Sequence, residues 1–383
     1  MSASSFIVGA SMVPFAKHRE ASYIGLALPA LLEAIRVSGI KKREIGAAYV
    51  GHAYGGMMTG QRILKEVGIG HIPVFNIDNA CSGGASALHA AHKAIVNHEA
   101  DVALVIGVEK LTQFGGGTLP LSPEDREVRQ GIVMPAVYAM RAARYLHETE
   151  ACLSDLARVT VKSRRHASQN PFAQLRKPTT IEEVLSSRPI AEPLTLPMCC
   201  PTGDGAAALV VVSERVARRL GNPSVRIAAS IMHSGQVAEG FRDMTKPEIT
   251  YQSASDAYEA AGIGPHELDM IELHDAFSIA EIIYYEALGL APHKEGFSLI
   301  RDEATTYGGM TVVNPSGGLL SKGHPVGASG VAQVVEAFWQ LTGTAGSRQI
   351  DGARTALTHV TGGGTAGLDH GACTIHILEG AAA

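Results

Sequence analysis

Short runs of β-branched and small apolar residues alternate with longer stretches of helical spacing along most of the chain. Phe6 to Phe15, Pro73 to Ile77, Asp101 to Val108, Val225 to Gly235 and Ala356 to Val360 read as strands. Between them lie helical patterns, among them Tyr138–Tyr145 and Ser154–His166. This alternation predicts a layered α/β fold. The pattern also repeats. Residues 34–53 lie without a gap over residues 257–276. In each segment a helix closes at Gly-Ile, a glutamate precedes an apolar residue, and a short strand follows. Each strand ends in a polar loop holding histidine, Gly51-His52-Ala53 in one and His274-Asp275-Ala276 in the other. DGAAALVVVSE at 204–214 matches HGACTIHILEG at 370–380, and FIVGASMVPF at 6–15 matches VRIAASIMHSG at 225–235. Three matches in one order predict a duplicated core.

The halves differ in length. The stretch from Gly107 to Asp204 is far longer than the equivalent stretch from Val360 to His370. The first half therefore carries an insertion over roughly 113–200, read as a mobile lid or cap on the first repeat. The expected organisation is a first half of 1–112 plus 201–222, the insertion 113–200, and a second half of 223–383.

Composition narrows the classes. A hydrophobic content of 46% supports buried cores and excludes wholesale disorder. The 42 glycines show no collagen period, so they point to tight turns and close backbone approaches. A formal charge of −5 suggests no polyanion partner, and hence no nucleic acid. Five cysteines, with Cys199 and Cys200 adjacent, make a poor disulfide framework and suit a reducing compartment. No apolar run approaches the ~18 residues of a membrane span. The first residues lack the basic start of a signal peptide, and the last form no targeting address. The expectation is a cytoplasmic protein with no membrane attachment.

Four loops carry candidate chemistry. In the segment Asp78-Asn79-Ala80-Cys81-Ser82-Gly83-Gly84, a strand feeds into a helix of small residues. A cysteine at a helix N-terminus has its thiolate favoured by unpaired N–H groups and the helix dipole. The alternative is a buried cysteine in a tight turn. Lys322-Gly323-His324-Pro325 locks a histidine in a loop with small neighbours, leaving an accessible proton acceptor or a structural turn. His274-Asp275-Ala276-Phe277-Ser278 and His359-Val360-Thr361-Gly362-Gly363-Gly364 both end strands. Glycine-rich backbone there can direct N–H groups at an oxyanion. A pair of parallel sheets would gather all four loops at one end. Phosphate loops, H-E-x-x-H, paired C-x-x-C and G-x-S-x-G motifs are absent from the sequence, and no metal site is expected.

The strings NACSGG around Cys81, CCPTGDGAAA at 199–208, HDAFS at 274–278 and NPSGGLLSKGHPVGASG at 314–330 carry a resemblance. The chain resembles the thiolase superfamily, specifically the sterol-carrier-protein-type thiolases and their bacterial and archaeal acetyl-CoA acetyltransferase-like relatives. That resemblance implies a thiolase fold, a duplicated βαβαβαββ core in five layers (αβαβα) with an inserted loop domain. It implies an acyl-CoA C-acyltransferase that forms or cleaves 3-oxoacyl-CoA through a thioester on Cys81. By the same resemblance His324 accepts the thiol proton and His274 holds a water at the thioester oxygen. The backbone N–H groups of Cys81 and Gly362 form the oxyanion hole. Coenzyme A, a substrate rather than a bound cofactor, falls to Lys162, Arg164 and Arg165 of the insertion and to Ser316 and Gly317. A homodimer or homotetramer is also implied.

The departure lies in the second catalytic cysteine. The two places where relatives keep it are occupied here by Ala276 and Val360. His359 or a water is then expected to substitute. Cys373 reads as core, and Cys199 and Cys200 as structural. Two rival functions follow: a thiolase-like retro-aldol lyase acting with a zinc-ribbon/OB-fold partner, and a non-catalytic acyl-CoA-binding or scaffold subunit.

Overall fold

The computed structural model describes residues 4–236, 242–363 and 370–380. Twelve strands occur among them: β1 Ser5–Met12, β2 Ala47–Gly51, β3 Val74–Ile77, β4 Val102–Lys110, β5 Pro189–Ala191, β6 Leu194–Thr195, β7 Asp204–Ser213, β8 Val225–Ser234, β9 Met270–Glu272, β10 Val312–Val313, β11 Thr355–Gly362 and β12 Ala372–Gly380. Ten of them form one sheet in the order β10-β9-β11-β12-β8-β1-β7-β4-β2-β3. Read outward from the β8–β1 junction, both halves have the same strand order, so the duplication is real in space. The halves meet through a short antiparallel pairing, Phe6 with Arg226 and Ile7 with Val225.

Each half is mixed rather than parallel as expected. β2 runs parallel to β3 and β4, and β9 to β10 and β11. β7 and β12 return antiparallel to their neighbours. The reason is connectivity: β11 reaches β12 through a short loop, which permits only an antiparallel neighbour, whereas parallel strands need a crossover. The loops that matter still follow the carboxyl ends of the parallel strands.

Apolar packing gives the layers. One core lies on the outer face of the first half, built from β1, β2, β4 and β7 and the helix Tyr23–Ser38. A second lies between the half-sheets and holds the helices Gly83–Val96 and Val326–Leu341. Leu88 and Ile95 are fully buried there, each worth about 1.5–3 kcal/mol of transfer free energy. These two helices touch through backbone. A Cβ on Gly84 would lie 2.5 Å from the carbonyl oxygen of Gly327. The small residues after Cys81 and after His324 thus serve one crossing, which draws the two helix N-termini together.

The third core reverses an expectation. Tyr138, Ala142, Tyr145 and Leu156 of the insertion share it with Ile271, Phe277, Ile283 and Ile375 of the second half. The insertion leaves the first repeat but packs on the second. Its helix Leu153–Ser168 is bound there by the Lys162–Glu281 ion pair and by His166, whose Nδ1 lies 3.0 Å from the Asn314 carbonyl. This helix packs into the core of the second half.

Candidate active site

Cys81 sits between β3 and the helix Gly83–Val96, in a backbone held out of the ordinary regions. Ala80 has φ 48°, the left-handed conformation disfavoured for a residue with a Cβ. Such outliers persist where surrounding structure over-determines them, and they cluster at functional turns. The Asp78 carboxylate accepts from the Ala80 N–H at 2.9 Å, and the Asn79 carbonyl accepts from the Ser82 N–H at 3.0 Å. A Cβ on Gly362 would stand 2.0 Å from the Asn79 oxygen, so only glycine lets the end of β11 close on this turn.

The environment of the thiol differs from the one expected at a helix N-terminus. Burial pushes the Cys81 thiol up to about 12, against the opposing pull of the Gly363 and Cys81 backbone N–H groups, with Glu109 and Asp78 adding to the rise. Desolvation therefore outweighs the helix end, and Cys81 rests as a thiol. The backbone donor that engages Cys81 from β11 is that of Gly363, one residue beyond the expected Gly362. Gly364 lies outside the described residues.

His324 supplies the complementary half. Its Nδ1 lies 2.8 Å from Ser329 Oγ, and Ser329 donates its single proton to the Pro325 carbonyl at 3.0 Å. Ser329 can therefore only accept from the ring, which fixes the proton on Nδ1 and leaves the Nε2 lone pair bare. Nε2 is buried with no hydrogen-bond partner. Burial and then Lys322 pull this histidine down to about 3, so it is neutral. His274 stands edge-on to it, ring centroids 5.0 Å apart, with its own Nδ1 unpartnered. One ligand atom each from Cys81, His274 and His324 lies within 4.8 Å of the others. A thiol, a base with its lone pair exposed, and a second neutral imidazole converge on one point.

Around His274 the chain is tightly tied. Asp275 accepts from the N–H groups of Leu319 and Leu320 at 2.7 and 3.4 Å. Burial, with Glu281 next, pushes its carboxyl up to about 8. Glu109, missed by sequence reasoning, performs the same service in the first half. It is fully buried and accepts from Tyr23, from the N–H groups of Ala53 and Tyr54, and from Gly327 N–H at 3.2 Å. It thereby pins the strand-end loop of β2 to the backbone just after His324. Ser329 was equally invisible, because its role depends on a turn that only the fold defines.

His359 is fully buried on β11 with its Nε2 3.2 Å from Thr250 Oγ1, its Nδ1 unpartnered and its ring against Tyr284, and it is one of the groups that help to pull His274 down. Lys162 is buried, its ammonium shared by Glu281, Tyr285 and the Val313 carbonyl, so it is a structural cation and cannot receive a phosphate. Arg164 is half-buried, and Arg165 is exposed and paired with Glu303 at 3.3 Å. Ser316 spends both its N–H and Oγ on Glu272, at 3.0 and 2.7 Å, and Gly317 abuts Ala167, so this pair shapes the loop rather than lining a coenzyme site. Cys373 is fully buried on β12. Cys200 donates its N–H to the Ala276 carbonyl at 2.9 Å and lies within electrostatic reach of Cys81.

This chain and its fold match known proteins. The model for the thiolase N-terminal domain matches residues 5–215, and the thiolase C-terminal domain-like model matches residues 230–371. The chain belongs to the thiolase family. It is 44% identical to benzoylsuccinyl-CoA thiolase subunit BbsB of Thauera aromatica, over 96% of this chain and 98% of that protein. It is 36% identical to an acetyl-CoA acetyltransferase of Methanothermobacter thermautotrophicus, covering 97% and 98% of the two chains. Among solved structures it resembles the Ltp2-ChsH2(DUF35) aldolase, with a TM-score of 0.85, 25% identity and 98% of each chain covered.

Proposed function

We propose that the protein is an acyl-CoA C-acyltransferase of the thiolase type, forming or cleaving 3-oxoacyl-CoA through a thioester on Cys81. The observation that carries this reading is the convergence of Cys81, His274 and the bare Nε2 of His324 within 4.8 Å. His324 takes the thiol proton as Cys81 attacks the thioester carbonyl. With the thiol pushed up to about 12 and the imidazole down to about 3, transfer accompanies attack instead of preceding it. The backbone N–H groups of Cys81 and Gly363, with Gly362 admitting the close approach, receive the developing oxyanion. Coenzyme A and its thioesters act as substrates. Of the basic run, exposed Arg165, with half-buried Arg164 beside it, is the part left for its anionic end.

Acyl exchange tests this reading. The protein incubated with acetyl-CoA and isotopically labelled coenzyme A should move label into acetyl-CoA, and Cys81→Ser should abolish it. Exchange surviving in that variant would remove Cys81 from the mechanism, and with it the reading.

An assembly is part of the proposal. β3 is the open edge of the sheet among the described residues, and Phe75 on it is 49% exposed. Pairing of this edge between copies would give the homodimer or homotetramer. The other favoured reading is a lyase complexed with a zinc-ribbon/OB-fold partner. Two names favour it: the Thauera relative is called a subunit, and the aldolase neighbour carries a DUF35 partner. A transient acyl-enzyme on Cys81 separates the acyltransferase from both the lyase and a non-catalytic scaffold. A cytoplasmic site and a place in lipid metabolism complete the reading; among the described residues no helix is long and apolar enough to cross a membrane.

A further inference from the structure

Carbon–carbon chemistry at this centre needs a proton donor and acceptor for the α-carbon of the second substrate. Cys81 and His324 are occupied by the acyl group and its proton. His359 is held by Thr250. A different pair stands against Phe277, the residue after Ala276. Tyr138, on the insertion helix Met134–Glu148, stacks on Phe277 with ring centroids 4.4 Å apart. Its hydroxyl lies 3.1 Å from His370 Nε2, and Tyr284 reaches the same nitrogen at 3.2 Å. His370 Nδ1 is 3.0 Å from the Gly363 carbonyl, which can only accept. The proton of His370 is therefore on Nδ1, and Nε2 is an acceptor for the phenol. Gly363 in turn engages the Cys81 thiol through its N–H, so His370 ties the phenol to the residue that contacts Cys81. Arg141 sits over the Tyr138 ring, its guanidinium carbon 5.3 Å from the centroid.

We infer that Tyr138 is the catalytic acid/base of the carbon–carbon step and His370 its positioning residue. The inference rests on the acyltransferase reading above. In the cleavage direction Cys81 attacks the 3-keto carbon, and the C2–C3 bond breaks with its electron pair on C2. The Tyr138 hydroxyl turns its single proton from His370 Nε2 to C2, which takes it and leaves as acetyl-CoA. The phenolate left behind is stabilised by the Tyr284 hydroxyl and the Arg141 cation. The proton that Cys81 gave to His324 returns through solvent to Tyr138, so the count closes at the acyl-enzyme. Condensation runs the same steps backwards, with the Tyr138 oxygen removing a proton from C2. His370 holds the phenol through Nε2 and ties it to the Gly363 end of β11, next to the oxyanion donors.

The experiment uses the full chain with acetyl-CoA in deuterium oxide, following deuterium entry into the acetyl methyl group and, separately, acetylation of Cys81. The native protein should do both. Tyr138→Phe keeps the ring on Phe277 and should lower methyl exchange by about 10²–10⁴, the usual loss for a general acid/base. Acetylation of Cys81 should stay within about threefold of the native rate, within the factor-of-five span of a 1 kcal/mol effect. His370→Asn should lower methyl exchange by a larger factor than acetylation, and the double variant should fall no further in methyl exchange than Tyr138→Phe, the mark of residues acting as a unit. Methyl exchange unchanged in Tyr138→Phe, absent in the native protein, or lost in Cys200→Ser instead would overturn the assignment. Parallel loss of acetylation in Tyr138→Phe would reduce Tyr138 to structure. Absence of Cys81 acetylation in the native protein would instead fail the acyltransferase reading itself.

Discussion

Cys81 and His324 occupy the same place in two copies of one unit. Each follows an edge-ward parallel strand, β3 or β10, and each stands at the start of the central helix of its half, Gly83–Val96 or Val326–Leu341. The supports differ. Cys81 is set by a short, strained turn with Ala80 at φ 48°. His324 ends a long loop anchored by Ser316 and Lys322 on the fully buried Glu272. The edges differ as well, since β10 is buried beneath the insertion and β3 is half open. The lesson is that duplication made two equivalent helix N-termini face each other across a glycine crossing. Divergence then placed a thiol at one and a fixed imidazole at the other.

The comparison is broken most severely at the base. His324→Ala removes the acceptor while leaving the Cys81 turn untouched, and should slow Cys81 acylation by about 10²–10⁴. Stopped-flow acylation measures this, and a loss under threefold would make the thiol independent of the imidazole opposite it. The anchoring of the second half is tested next. Lys162→Met strands Glu281 in the core, where breaking a buried pair costs about 3–5 kcal/mol. A urea midpoint lowered accordingly, with coenzyme A affinity retained, fits a structural cation. Weaker coenzyme binding at unchanged stability would restore the basic-run reading.

Acid sensitivity is the broadest and gentlest probe. His166, His324, His359, His370 and His376 are all pulled down to about 3, in each case chiefly by burial. All but His376 belong to elements that serve the second half's face of the site or to the insertion helix Leu153–Ser168. An unfolded chain protonates these groups near pH 6.5, whereas the folded chain does so only near 3. Between those values the unfolded state binds more protons, so stability falls as pH drops from about 6.5 towards 3. Each histidine contributes a slope of up to about 1.4 kcal/mol per pH unit. Equilibrium unfolding at pH 7.5, 6 and 5 should show this trend. Constant stability would place these side chains in water.

Much of this was legible in the chain. The repeat was visible because β-branched runs and helix-closing glycines mark strand and helix ends locally, and the four loops were visible because each follows such a run. What escaped depends on distant partners. Lys162 belongs to a dense basic run, and such runs are usually solvated; its burial is decided by Glu281, 119 residues away. The length difference between the halves marked the insertion and suggested a lid on the first repeat, without showing that it packs on the second half. Tyr138 and His370 are 232 residues apart, and neither sits in a motif. Glycine spacing predicted close approach, yet the identity of the approached group, Asn79 for Gly362 and Gly327 for Gly84, exists only in the fold.

The central claim is that the thiol at one helix N-terminus becomes acylated by virtue of the imidazole at the other. Peptide mass spectrometry after brief incubation with acetyl-CoA tests it most directly. A single acetyl group is expected on the peptide containing Cys81 in the native protein, with markedly slower labelling of that peptide in His324→Ala. Labelling of Cys199, Cys200 or Cys152 in place of Cys81, or equal labelling in both proteins, would contradict it.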